Sequence, residues 1–174
     1  MSHRAVMIDI DGVILPIGAC TDVEVGLVRT APDAHLDLVA ARVSQEAVAC
    51  LQGLSERASA KLVVISSLRY AFPDTFIRAF LDRIGLGPHL HKDWFAPFKV
   101  SSNKRDDIGF WLDDHRRVKQ AFAIDDHDLG LGGKKVRQIM PDGRRGLTRA
   151  DLKEAAKRWE LEALFREQAM EGAR

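Results

Sequence analysis

Two acidic pairs dominate the chemistry this sequence can do. Asp9-Ile-Asp11-Gly12 closes the apolar run Ala5-Val-Met-Ile8, and Asp125-Asp126 closes Ala121-Phe-Ala-Ile124. Carboxylates held close together oppose each other's ionisation, so each pair calls for a neutralising cation. Oxygen donors of this kind favour magnesium, which keeps several waters and binds one or two carboxylates along with a substrate phosphate. His127 beside the second pair reads as a surface or supporting residue rather than a ligand, because magnesium prefers oxygen.

Three further residue types suit a phosphate. Ser66-Ser67 ends the β-branched run Leu62-Val-Val-Ile65, and a hydroxyl with backbone N–H groups at such a turn can hold a phosphoryl oxygen. Arg69 offers a planar fork for the same anion. Lys104 stands where a helix should begin and can neutralise phosphate and carboxylate together. Taken singly, each has an ordinary alternative as a turn or surface residue.

The elements that must position these groups alternate between short apolar runs and helical periodicity. That is the pattern of an α/β domain with a mostly parallel sheet. Strands are expected at 5–10, 62–65, 121–124 and 136–140. Residues 12–43 read as irregular, with Leu36-Asp-Leu-Val39 as a short strand or hairpin arm. Ser44 should cap a helix carrying Val48, Leu51 and Leu54. Pro73 should open another with Phe76, Ile77, Phe80, Leu81 and Ile84, closed by Gly85. Residues 85–103 read as a loop. Lys104 opens a helix with Ile108, Trp111 and Leu112 on one face. Thr148 and Asp151 form a capping box for a last helix with Leu152, Ala155, Ala156, Trp159 and Leu164. Polar strand ends gathered at one edge are where open α/β sheets bind ligands.

Composition narrows the classes. The chain has 174 residues, 26 Lys+Arg against 25 Asp+Glu, and a formal charge of +1, so no global pull toward nucleic acid or membrane exists. The length suits one domain, taken as 1–174. Cys20 and Cys50 build neither a disulfide framework nor a zinc site, and a reducing, cytoplasmic setting is expected. The start, Met1-Ser-His-Arg4, carries no signal-peptide core, and no apolar run is long enough for a membrane span. His3, His35, His89, His91 and His115 show no ligand spacing, and the three tryptophans read as core.

The order strand-DxDG, strand-Ser, Lys opening a helix, strand-DD resembles the haloacid dehalogenase-like (HAD) superfamily of phosphatases and phosphotransferases, over residues 4–128. Receiver domains use similar residues in another order, with the acidic pair first and the lysine last. The runs Val63-Val-Ile-Ser-Ser-Leu-Arg69, Lys104-Arg-Asp-Asp-Ile-Gly-Phe-Trp-Leu112, Ala123-Ile-Asp-Asp126 and Gly146-Leu-Thr148 are similar to small HAD domains of RNA-repair proteins. Those commonly carry Trp where this chain has Leu68.

The resemblance implies a Rossmann-like three-layer αβα sandwich with a minimal cap. It implies Asp9 as nucleophile and Asp11 as general acid and base. Ser66 would bind a phosphoryl oxygen, with Ser67 and Arg69 as further substrate contacts, and Lys104 would offset charge. Magnesium is implied at Asp9, the Asp11 carbonyl and the Asp125-Asp126 pair, with Asp126 as the direct ligand. The substrate is a phosphorylated small molecule or a nucleic-acid end. A non-catalytic binding module is the other class, and the complete motif set speaks against it. Neither gap between motifs holds a full cap domain. A short flap within 16–40, a second protomer or the substrate itself must then cover the site. Lys134, Lys135, Arg137, Arg144, Arg145 and Arg149 against Asp142 form a local basic excess suited to a phosphate backbone.

Overall fold

The protein is described by a computed structural model that covers residues 4–98, 103–131 and 135–158. In chain order its elements are β1 (Arg4–Ile8), α1 (Asp22–Thr30), α2 (Leu36–Ala40), α3 (Gln45–Arg57), β2 (Lys61–Val64), α4 (Asp74–Arg83), β3 (Leu90–Phe95), α5 (Lys104–Asp114), β4 (Gln120–Ile124), β5 (Val136–Ile139) and α6 (Arg149–Arg158). The strands form one parallel five-stranded sheet in the order β3-β2-β1-β4-β5.

Strand alternation sorts the core into two faces. Val6, Ile8, Leu62, Val64, Phe122 and Ile124 point to one side. There they meet Leu51 and Leu54 of α3, Ile77 and Phe80 of α4, and Leu152 of α6. Ala5, Met7, Val63, Ile65, Ala121 and Ala123 point to the other side and meet Ile108, Trp111 and Leu112 of α5. On this second face Ala5, Ala121 and Ala123 leave room for the indole of Trp111, which is 1% exposed. Trp94 is half-buried against the first core, and Trp159 and Leu164 lie outside the described residues.

Three sequence expectations are corrected. Residues 12–43 are not irregular: Thr21 and Glu24 form a capping box that starts α1, a signature present in the sequence. The segment Leu36–Val39 is helical, within α2, and not a strand. Leu36 and Val39 both pack on the core one turn apart, and Asp37 pairs with Arg83 of α4 at 2.5 Å. Residues 85–103 are not all loop, because they contain β3. That strand lies at the sheet edge, where His91, Lys92 and Asp93 are tolerated and indeed block further pairing. Its register with β2 shifts between Leu62↔Leu90 and Val64↔Phe95. No helix of the described residues is long and apolar enough to cross a membrane.

Candidate active site

The strand order reverses beside β1. The chain builds outward through β2 and β3, then returns to the other side of β1 with β4. Open α/β sheets bind ligands outside the strand ends at such a switch point. Ile8 is level with Ile124 in the β1–β4 register, so Asp9 and Asp125 emerge side by side. The Asp9 N–H donates to the Ile124 carbonyl at 2.9 Å, fixing that level. Both carboxylates continue the alternation of Met7 and Ala123 and so fall on the α5 side of the sheet.

Lys104 meets them there from the first turn of α5. A lysine is unfavourable at a helix N-terminus, where the dipole is positive. Its ammonium group is held instead by Asp9 Oδ2 and by Asp125 Oδ2, the latter at 2.7 Å. Burial opposes the charge on Lys104, but Asp9 and Asp125 together hold its pKa above the usual lysine value. Asn103 caps the helix in its place, accepting the Asp106 N–H at 3.0 Å. Asp9 is 3% exposed, and its Oδ1 accepts the Ile10 N–H at 2.6 Å. Asp125 has no exposure; its Oδ1 accepts the His127 N–H at 3.0 Å, and burial raises its pKa.

Asp11 is half-buried beyond Asp9. Burial first, then the charge on Asp9, push its carboxyl up to about 6, with Lys104 pulling the other way. The chain leaves this point through Gly12 at φ +71°, and the N–H groups of Ile14 and Leu15 fold back onto the Ile10 carbonyl at 2.9 Å each. Gly12 also clears space. A Cβ there would lie 2.4 Å from the Asp126 carboxyl carbon, and a Cβ at Gly143 would lie 2.4 Å from Asp126 Oδ2. Two glycines from separate loops thus seat the Asp126 carboxylate against the first motif. His127 Nδ1 lies 2.9 Å from Asp126 Oδ1, with its ring exposed. The carboxylates of Asp125 and Asp126, adjacent at the end of β4, offer the oxygen donors that a hard divalent cation such as magnesium favours.

Ser66 follows β2, next to β1, where the Ile65 N–H donates to the Ile8 carbonyl at 2.9 Å. It is fully buried and its Oγ accepts the Leu68 N–H at 3.3 Å. Ser67 is exposed on the same turn. Arg69 is a correction: its side chain has no exposure and does not join the site. It donates to the carbonyls of Ile65 at 3.0 Å, Ser66 at 2.8 Å and Ala96 at 2.5 Å, and to Asp107 Oδ2 at 2.8 Å. The fork that suits phosphate is spent on buried acceptors.

The basic stretch is also divided. Lys135 precedes β5 at one end of the sheet, while Arg144 and Arg145 are exposed at the other end, next to Gly143. Lys134 lies outside the described residues. Sequence reading missed Gly143, whose only trace was a glycine in a basic loop, and the buried Asp107. It also missed that His91, Asp93 and His115 meet. His115 stacks on Trp111 at 3.8 Å, and its Nε2 lies 3.0 Å from Asp93 Oδ2, bracing β3 against the end of α5 away from Lys104.

A family model for the HAD domain in Swiss Army Knife RNA repair proteins matches residues 5–152. No curated protein and no solved structure matches the chain.

Proposed function

Because this chain belongs to the HAD domains of Swiss Army Knife RNA repair proteins, we propose that it is a magnesium-dependent phosphomonoester hydrolase working through an aspartyl-phosphate on Asp9. The observation that carries the reading is the bridge from Lys104 to both Asp9 and Asp125 at the switch point of the sheet. A lysine between two buried carboxylates sets a positive charge against the candidate nucleophile and where a phosphoryl group would sit.

Asp9 would attack phosphorus while the bond to the leaving oxygen breaks. Asp11, with its raised pKa, would give that oxygen a proton and then take one from the water that hydrolyses the intermediate. General acid–base help of this kind contributes about 10²–10⁴-fold. Ser66 would hold a phosphoryl oxygen. Lys104 would stabilise charge on the transferred group, the dominant form of help in phosphoryl transfer. Asp9, the Asp11 carbonyl and Asp126 would hold magnesium, with Asp125 as their partner, and the ion would draw charge from the phosphoryl oxygens. The exposed pair Arg144-Arg145, beside the seat of Asp126, supports a second reading in which the ester is a nucleic-acid end. In that reading affinity falls steeply with salt.

The test is phosphatase activity with and without magnesium on nucleotides, sugar phosphates, phosphopeptides and 3′- or 5′-phosphorylated oligonucleotides, repeated with Asp9→Asn. Undiminished turnover in that variant removes the nucleophile assignment.

A further inference from the structure

A cavity of about 250 Å³ opens beside Asp11, between α1 and α4. Phe76 and Phe80 line one wall four residues apart, on one face of α4, and Phe72 just before the helix adds a third ring. The rings of Phe72 and Phe76 lie 5.0 Å apart. Leu68 extends this wall toward the Ser66 turn, and Val28 of α1 faces it. Cys20 and Arg29 are the polar side chains on the α1 side. Protein interiors fill apolar space closely, so an open cavity walled by three phenyl rings is a feature to be explained.

Its position supplies the explanation. Asp11 lines the cavity, and Asp11 is the group that must reach the departing oxygen. The alcohol released from phosphorus therefore lies against these rings. A sugar's hydroxyl groups pressed against the phenyl rings would give up hydrogen bonds to water that this mostly apolar wall does not replace. A flat apolar ring would instead be stabilised by burial and by edge or offset contact with the phenyl groups.

We propose that this cavity is the leaving-group site, and that it selects phosphate esters carrying a flat, largely apolar ring near the ester oxygen over hydroxyl-rich sugar phosphates. The inference rests on the phosphatase reading above. The ring is supplied either by a free aryl alcohol or by the base of a terminal nucleotide, since both offer a π face.

The test uses the wild-type protein with Ala71→Phe and Leu68→Trp, which place larger side chains on the cavity wall. Ala71 is exposed, so its replacement leaves the core intact. Calorimetric titration with 2-naphthol should show saturable binding that weakens about tenfold in both variants. In kcat/KM, 2-naphthyl phosphate should exceed glycerol 3-phosphate by about tenfold, and both substitutions should shrink that ratio. A 3′-phosphorylated oligonucleotide is compared with the same strand abasic at its last nucleotide. Faster turnover of the intact strand assigns the ring to a nucleobase; equal rates with a retained naphthyl preference assign it to a free aryl alcohol. Equal turnover of all esters and no naphthol binding overturns the leaving-group site while leaving the phosphatase standing. Naphthol binding without hydrolysis of any ester overturns the phosphatase reading and the leaving-group role with it.

Discussion

Arg69 and Asp107 form an ion pair in which neither side chain has any solvent exposure, with Nη2 and Oδ2 2.8 Å apart. Asp107 lies one turn along α5 from Lys104, and Arg69 also holds the carbonyls of Ile65 and Ser66. The pair therefore fastens the serine turn after β2 to the helix that presents the lysine. The guanidinium carbon also sits 5.4 Å from the ring centroid of Phe98. Removing one member of a buried pair leaves a charge without a partner, at a cost of about 3–5 kcal/mol. Asp107→Ala should lower unfolding free energy by about that much in urea titration, and Asp107→Asn by less. Below their melting temperatures both variants should lose kcat, because Ser66 and Lys104 no longer share a fixed frame. Unchanged stability in Asp107→Ala would remove the anchoring role.

Lys104 cannot be replaced by another cation in this geometry. Its compact ammonium reaches Asp9 and Asp125 at once, whereas a planar guanidinium is wider and directs its donors in a fork. Lys104→Met should reduce kcat by about 10²–10³-fold, the usual cost of losing one donor that stabilises transition-state charge. Lys104→Arg should restore little of it. Steady-state kinetics on one ester across the three proteins decides the matter, and full activity in the arginine variant would show that charge alone suffices.

The pKa of Asp11 sets a pH dependence of stability in protein freed of metal by EDTA. Burial and the Asp9 charge raise its carboxyl from 3.8 to about 6. Between those values the folded chain holds a proton that the unfolded chain has released. Stability from this group is therefore undiminished below about pH 4, falls as pH rises, and reaches its full loss above about pH 6, amounting to about 3 kcal/mol. Asp11→Asn should flatten that slope and melt several degrees higher than wild type at pH 8. Identical melting profiles for the two proteins would contradict the shift. Magnesium should raise the wild-type melting temperature at pH 8, because a ligand bound only by the folded state stabilises it.

Much of this site was legible because strands and chemistry coincide. Asp9 and Asp125 close apolar runs, and parallel register then levels them without help from any distant residue. Lys104 was legible only as a member of an ordered set, since its reach depends on α5 covering the face that Met7 and Ala123 share. Arg69 misled because a guanidinium satisfies a phosphate or buried acceptors equally well. Its carboxylate partner lies 38 residues away, beyond any local pattern. Edge strand β3 was hidden by its own charges, which suit an edge and spoil an apolar run. The helices of 16–40 went unread although the Thr21–Glu24 box was present, because proline and glycine on either side outweighed it. That segment holds two helices, of which α2 packs beside α4.

Gly143 offers the sharpest separation of site from scaffold. A methyl group there would meet Asp126 Oδ2 at 2.4 Å and Ile17 Cδ1 at 2.8 Å. Both are ends of side chains that can swing away, and the backbone at Gly143 is not among the positive-φ glycines. Gly143→Ala should therefore fold with near wild-type stability but turn the Asp126 carboxylate out of its seat. Magnesium affinity, read as the ion's effect on melting temperature or by calorimetry, should weaken about 10–100-fold, as displaced support of a metal ligand commonly does. Gly146 is the contrast three residues on. Its φ is +76°, and a Cβ would stand 2.8 Å from the Val13 carbonyl oxygen, a backbone atom that also accepts the Leu147 N–H at 2.9 Å. Gly146→Ala should cost more than about 1 kcal/mol of stability through that strain. In the folded fraction it should leave magnesium affinity far less affected than Gly143→Ala does. If Gly143→Ala binds magnesium as tightly as wild type, Asp126 is not the ligand that the two glycines make room for.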